Sequence, residues 1–221
     1  MTTTVGLRPL SGDYADEDKL RSMKVDERTM DMARETFRRS RRREGVLDAD
    51  RSWFGEPLRE WIRLLEGRSD DLDRAMMIRL CVGMGEVMSM RDAMLMAVLA
   101  KVEQERLLVL ATEPHDKDSG RLVYETLRDG FENPASRPDT ERCQRGIDAL
   151  ARMVCLVPAG YSVQPLTTLA YLLWWVGRDE QSLACAIRAL LLDDGCTMAS
   201  IIAGSIARGV FPAWVHGRER E

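Results

Sequence analysis

Histidine is nearly missing from this chain: two occur in 221 residues, His115 and His216. General acid–base catalysis and metal binding use that side chain more than any other, so its scarcity removes the usual player from both chemistries. His115 sits in Glu113-Pro-His-Asp-Lys-Asp118, where one nitrogen and several carboxylates could meet a cation. A metal site needs convergent ligands, however, and a single histidine in a polar loop reads as a solvated turn. His216 lies in the tail beyond Trp214 and reads the same way. No serine or cysteine has an evident histidine partner, which leaves few groups for nucleophilic catalysis. Gly83-Met84-Gly85 lacks both the third glycine and the preceding strand of a phosphate cradle, so close helix packing or a kink is its better explanation. No catalytic residue, cofactor or metal is expected.

Other absences narrow the class further. No run of about 18 consecutive apolar residues is present, so no membrane-spanning helix is expected. The opening MTTTVGLRPLSGDYADEDK lacks the basic-then-apolar pattern of a secretory signal. The five cysteines (Cys81, Cys143, Cys155, Cys185, Cys196) are odd in number and contain no C-x-x-C pair, which suits reduced, buried thiols and a cytoplasmic location. Only four phenylalanines are present against 13 methionines, so much of the core is expected to be thioether. The formal charge of −4 argues against bulk affinity for nucleic acid or a membrane surface.

What is present is helical periodicity. The most regular stretch is Leu166–Gly209. Leu166, Leu169, Ala170, Leu173 and Val176 share one helical face and run into Gly177. Leu183, Ala186, Ile187, Leu190 and Leu191 form a second face, and Met198, Ile201, Ile202 and Ile206 a third. Gly177 suits a helix C-terminus, and the short Gly177–Asp179 loop forces the flanking helices antiparallel. Ala186 and Ala189 are the expected points of close approach.

Upstream, Lys19–Glu44 is highly charged, with Met23, Met30, Ala33 and Phe37 near helical spacing. It reads as a helix that packs loosely or extends from the body. Trp53–Gly67 carries Leu58, Trp61, Ile62 and Leu65 on one face, and Ser69-Asp70-Asp71 offers caps for a following helix with Leu72, Met76, Leu80, Met84 and Val87 inward. Ser89-Met90-Arg91-Asp92 matches a capping box, as does Ser136 with Asp139 around Pro138. Leu107–Ala111 is the one candidate strand and is better read as a helix tail. Leu122–Phe131 and Ile147–Val154 add two helices. No period-2 strand pattern is convincing. The expectation is an irregular all-α domain of about eight to ten helices spanning 49–221, with an antiparallel hairpin at 165–209. A charged arm at 1–48, partly disordered and then helical, is expected to precede it.

Two resemblances rest on these residues. Gly177, Ser182, Ala186, Ala189, Leu190, Leu192 and Asp193 fit the second half of a tetratricopeptide repeat, a helix–turn–helix unit of roughly 34 residues, and Gly204 falls where the next unit carries its first-helix glycine. Leu166 stands where that repeat often has Trp, and Asp194 where it has Pro. The order Arg91-Asp92-Ala93, Pro158-Ala159, LAYLLWWVGRDEQSLACAIRALLLDD and Gly209–Trp214 resembles the C-terminal half of a large actinobacterial family of unknown function. That resemblance spans 70–214 and implies a fold but no activity. Members of that family usually carry an α/β half first, which is not visible in this sequence.

Two functional candidates follow. Trp174 and Trp175 are adjacent on one helix, about 100° apart, so one is expected in the core and the other at a rim where it would anchor a protein partner or a second copy of the chain. Trp53, Trp61 and Trp214 are expected to cover core edges. Arg38, Arg39, Arg41, Arg42 and Arg43 put five arginines in six residues, which could neutralise phosphates. The acidic residues nearby, among them Asp26, Glu27 and Asp31, and the lack of interleaved aromatics favour a solvated helix face instead. The reading is a non-catalytic helical interaction or scaffold domain, with nucleic-acid association through Arg38–Arg43 as the alternative.

Overall fold

The computed structural model describes residues 16–215, and among them all regular structure is helical. The helices are α1 (Glu17–Met23), α2 (Glu27–Glu44), α3 (Val46–Leu65), α4 (Arg74–Glu86), α5 (Met88–Leu99) and α6 (Gln104–Thr112). They continue with α7 (Lys117–Glu132), α8 (Thr140–Leu156), α9 (Val163–Trp175), α10 (Asp179–Leu192) and α11 (Thr197–Ala207), with a 3-10 turn at Ala159–Tyr161. Ten of these have nine residues or more and α1 has seven, in keeping with the all-α expectation. No helix among the described residues is long and apolar enough to cross a membrane.

The charged N-terminal helix does not extend away from the body. Lys24-Val25-Asp26 divides it into α1 and α2, and Asp26 caps α2 by accepting the Thr29 N–H at 2.7 Å. Met30 and Phe37 are fully buried, and Phe37 stacks on Trp53 of α3 at 4.7 Å. The expected boundary at residue 48 falls inside α3, which begins at Val46 directly after Gly45. The charge pattern was misleading because only two positions of α2 are fully buried, yet both carry large apolar side chains seated in the core. Residues 1–15, the start of the arm expected to be partly disordered, lie outside the described residues.

Helix α3 is the spine of the domain, and Pro57 interrupts its ladder of hydrogen bonds. Proline has no N–H for the carbonyl four residues earlier, which is that of Trp53. Arg79 of α4 fills the gap, donating from Nε (3.0 Å) and Nη2 (2.6 Å) to the Trp53 carbonyl and from Nη2 (2.9 Å) to that of Ser52. In return the Trp53 indole N–H donates to the Arg79 carbonyl at 3.0 Å. The other face of α3 packs Phe54, Leu58, Trp61 and Leu65 into a core shared with Leu80, Met84, Met90, Met94, Leu107 and Leu150. Trp61 lies at its centre rather than at an edge, its N–H donating to the Met94 carbonyl at 3.1 Å. Buried Met30, Met77, Met84, Met90, Met94, Met96 and Met153 make this interior rich in thioether, as the composition suggested.

Three expected caps are displaced. Helix α4 is capped by Asp73, which accepts the Ala75 N–H at 2.8 Å, and not by Ser69-Asp70-Asp71, so Met77 rather than Met76 points inward. Helix α5 has no side-chain cap, and the Ser89 hydroxyl donates to the Ala111 carbonyl of α6 at 2.6 Å instead. Helix α8 is capped by Asp139 accepting the Arg142 N–H at 3.0 Å, which leaves Ser136 and Pro138 outside the helix. Leu107–Ala111 lies in α6, a helix of its own.

The C-terminal hairpin forms as expected. Gly177 adopts φ 74° after α9, its N–H bonding the Trp174 carbonyl at 3.1 Å while the Arg178 N–H bonds that of Leu173 at 2.8 Å. This is the left-handed glycine stop that a residue with a Cβ enters only at a cost. Helices α9 and α10 then run antiparallel, and the Ser182 hydroxyl donates to the Ala170 carbonyl across the seam at 2.7 Å. Ser182, Cys185, Ala186 and Ala189 are the buried face of α10. The larger aliphatic residues read as inward, Ile187 and Leu191, are exposed.

Candidate functional site

Both candidate tryptophans are inside: Trp174 is 5% exposed and Trp175 is 3% exposed, so neither is the free rim anchor that their adjacency suggested. Their neighbours explain why. Tyr171 lies against both rings, edge-on to Trp174 and stacked on Trp175, and Phe131 of α7 tilts against the pair. The chain after α11 then folds back over them. Trp174 Nε1 donates to the Val210 carbonyl at 2.9 Å, and Trp214 Nε1 donates to the Trp175 carbonyl at 3.1 Å. That second bond satisfies one of the carbonyls left open at the end of α9. The two indoles therefore lock the C-terminal segment onto the hairpin.

One of them nevertheless borders open space. Trp174 and Tyr171 line a largely apolar groove of about 480 Å³ whose other walls include Met88, Met198 and Ile201. Arg91 stands at its polar edge, paired with Asp92 at 2.7 Å and donating to Gln164 at 3.1 Å. On α10, Leu191 is 82% exposed and Ile187 47%, and Ile201 of α11, itself a wall of the groove, is 58% exposed. The signal for this face was residue size. The alanines of α10 mark the side that a neighbouring helix approaches closely, which turns the large side chains outward.

The arginine segment is mostly engaged within the fold. Arg38 clamps Glu86 of α4 with Nε at 2.6 Å and Nη2 at 2.9 Å. Arg41 lies 2.9 Å from the buried carboxylate of Asp50 through Nε, with Nη2 at 3.4 Å from its other oxygen. Arg42 reaches Glu35 at 4.0 Å and Arg43 pairs with Glu44 beside it. Arg39 is exposed and makes no ion pair among the described residues. The five side chains do not converge on one phosphate-sized site.

His115 is exposed in the loop before α7, and its neighbour Asp116 caps that helix by accepting the Ser119 N–H at 2.8 Å. His216 lies outside the described residues. Among the described residues no group of three or more His, Cys, Asp or Glu side chains is placed to hold a metal. Gly83 sits inside α4, where a Cβ would come within 2.9 Å of Met90 Sδ, so close packing accounts for it. Burial pushes the thiols of Cys81 and Cys143 up to about 12 and that of Cys185 up to about 11, which keeps all three protonated at neutral pH.

A second, polar cavity of about 490 Å³ lies between the end of α3, the α5–α6 connection and the start of α8. Sequence reasoning missed it because its residues come from three separate segments, each unremarkable alone. Compared with known proteins, the chain matches no family model, no curated protein and no solved structure.

Proposed function

We propose that this chain is a non-catalytic interaction domain whose partner-facing surface is the outer face of α10 and α11 together with the Trp174–Tyr171 groove. The observation that carries the reading is the aliphatic row Ile187, Leu191 and Ile201, exposed beside an apolar groove on well-packed helices. Isolated exposed aliphatic residues are ordinary, but three on two helices in contact, one of them the wall of an apolar groove, suit a contact surface. The likeness of α9–α10 to a tetratricopeptide unit supports it. In such arrays successive hairpins stack on one another, so a hairpin of this kind is built to present a helix face to a neighbour. The occupant that fits is an amphipathic helix of a protein partner, laid into the groove by its aliphatic side. The likeness to the actinobacterial family is compatible with this and adds no activity.

The test compares wild type with a Leu191→Asp, Ile201→Asp variant in quantitative capture from extracts of the source cells. Both positions are exposed, so the variant should melt within about 0.5 kcal/mol of wild type. A protein enriched by wild type and lost from the variant supports the reading. Identical enrichment profiles for the two overturn it. If the occupant is a second copy of this chain, the purified wild type will dimerise with rising concentration in sedimentation and the variant will not, which rejects the heterologous partner.

A further inference from the structure

We infer that the polar cavity at the start of α8 is a binding site for a small molecule bearing an oxyanion, a carboxylate or a phosphate, held by Arg142. Arg142 is only 4% exposed, and its side chain crosses from α8 to the end of α5, where Nε donates to the Ala97 carbonyl at 2.7 Å. Its two terminal nitrogens have no hydrogen-bond partner and no carboxylate within ion-pair distance among the described residues, yet neither is sealed off from solvent. Arg142 lines the cavity, so these nitrogens open onto it. Burial lowers the pKa of this guanidinium, and Glu66 and Asp139 oppose that only through space. A buried cation without a counter-charge is costly, whereas the planar fork of arginine matches a carboxylate or phosphate with two parallel bonds.

The other arginines of α8 show what a purely structural role looks like here. Arg145 donates to the Leu65 carbonyl at 3.1 Å and also pairs with Glu141 at 3.1 Å. Arg152 donates to the Asp70 carbonyl at 2.9 Å and pairs with Asp71 at 3.2 Å. Each holds a backbone carbonyl and a carboxylate together. Arg142 holds the carbonyl alone.

The cavity wall supplies more positive charge and has few uncommitted carboxylates. Arg68, Lys101 and Arg145 line it with Arg142. Of the three acidic residues there, Glu66 is paired with Arg68 at 3.3 Å, and Asp139 both caps α8 and meets Lys101 at 3.4 Å. Glu103 completes the set, and Arg145 is matched by Glu141 outside the wall, so Arg142 is the one cation of the wall without a bonded carboxylate among the described residues. The open fork of Arg142 suits one oxyanion group. The carboxylates and the polar lining suit hydroxyl or amino groups on the remainder of the ligand. A volume near 490 Å³ accommodates a small metabolite and leaves no room for a folded partner.

Inorganic phosphate and acetate are the probes, titrated into the full chain at constant ionic strength against chloride and followed by calorimetry and thermal melting. The expected result is saturable binding in about the millimolar range with a matching rise in melting temperature. Arg142→Lys keeps the charge but loses the fork and should weaken binding about tenfold or more. Lys101→Gln, at an exposed rim position, should weaken it about two- to fivefold while leaving the anion-free melting temperature unchanged. Response to phosphate alone assigns phosphate esters, response to acetate alone assigns carboxylic acids, and either supports the site. If Arg142→Lys fails to fold, Lys101→Gln and Arg68→Gln decide the matter. Absence of saturable binding in wild type, or equal affinity in wild type and variants, overturns the proposal.

Discussion

The indole of Trp175 occupies the space that a side chain at position 130 would need. A Cβ built on Gly130 would lie 2.2 Å from Trp175 Cη2 and 2.8 Å from Cζ2. The ring cannot withdraw easily, because Tyr171 stacks on one face and Trp214 meets it edge-on at 4.7 Å. The carbonyl of Gly130 also accepts the Ala213 N–H at 3.0 Å, so this one residue seats both the ring and the returning chain. Gly130→Ala therefore sets overpacking, typically about 1–3 kcal/mol, against a gain in helix propensity of up to about 1 kcal/mol. The expected net loss is about 1–2 kcal/mol, read by urea melts of tryptophan fluorescence. A variant more stable than wild type would show that α7 moves freely away from the hairpin.

A coupled pair tests the repair of α3. Arg79→Met should leave the Trp53 carbonyl without a donor and cost about 1–3 kcal/mol, the usual penalty for a buried polar group left unmade. Pro57→Ala restores an N–H able to reach that carbonyl, so in its background the same Arg79 substitution should cost about 1 kcal/mol less. A double-mutant cycle of denaturant midpoints measures that coupling. Strict additivity would mean that Arg79 stabilises the protein only through its ion pair with Glu56, at 2.8 Å.

How much of this was legible in the sequence depended on whether the signal was local. Gly67 and Gly177 end their helices as expected, since a left-handed stop is decided within five residues. Ala186 and Ala189 are buried at the seam because small side chains are needed wherever helices approach closely. Ser89 was misread because its hydroxyl has a carbonyl of α6 within reach, a tertiary competitor that no four-residue pattern contains. The tryptophan pair failed for the same kind of reason. Helix geometry separates the two rings by about 100°, but α7 and the segment Val210–Val215 come from either side and cover both. Arg142 was passed over entirely, because its meaning lies in a missing partner that only the assembled fold reveals.

The Asp50–Arg41 pair should make stability depend on pH in a defined direction. Burial raises the Asp50 carboxyl above its ordinary value and the nearby Arg41 charge only partly offsets that. Between its ordinary and raised values the folded chain binds the proton more tightly than the unfolded chain. Asp50's contribution is therefore greatest below its ordinary value and declines as pH rises through the raised one. Arg41→Gln removes the offset and leaves an ionised carboxylate buried at 2% exposure. Arg41 itself is 29% exposed, so the cost near neutral pH should be about 2–3 kcal/mol, below the 3–5 kcal/mol of a fully buried pair. Urea melts at neutral pH and at about pH 4 should show the difference from wild type shrinking on acidification. A difference that stays constant or grows would mean that Asp50 remains charged in the variant.

The arginine segment leads to a prediction about what does not bind. Arg38 and Arg41 are committed to Glu86 and Asp50, which leaves Arg39, Arg42 and Arg43 as the side chains facing water. Nucleic acid held by such a surface would be bound almost wholly by charge, and even about four neutralised phosphates would give a slope of log K against log salt near −3.6 on duplex. The formal charge of −4 opposes approach, and Glu35 and Glu44 already pair with Arg42 and Arg43. The expected outcome is no measurable duplex binding by fluorescence anisotropy near physiological salt. Arg39→Gln, Arg42→Gln and Arg43→Gln together leave both buried or bidentate pairs intact, so this variant should fold as wild type does. Micromolar binding by wild type that the triple variant loses would restore the phosphate-binding role of the segment. Binding that survives the triple substitution would place the contacts elsewhere on the helical body, with the arginines of α8 as the next positions to replace.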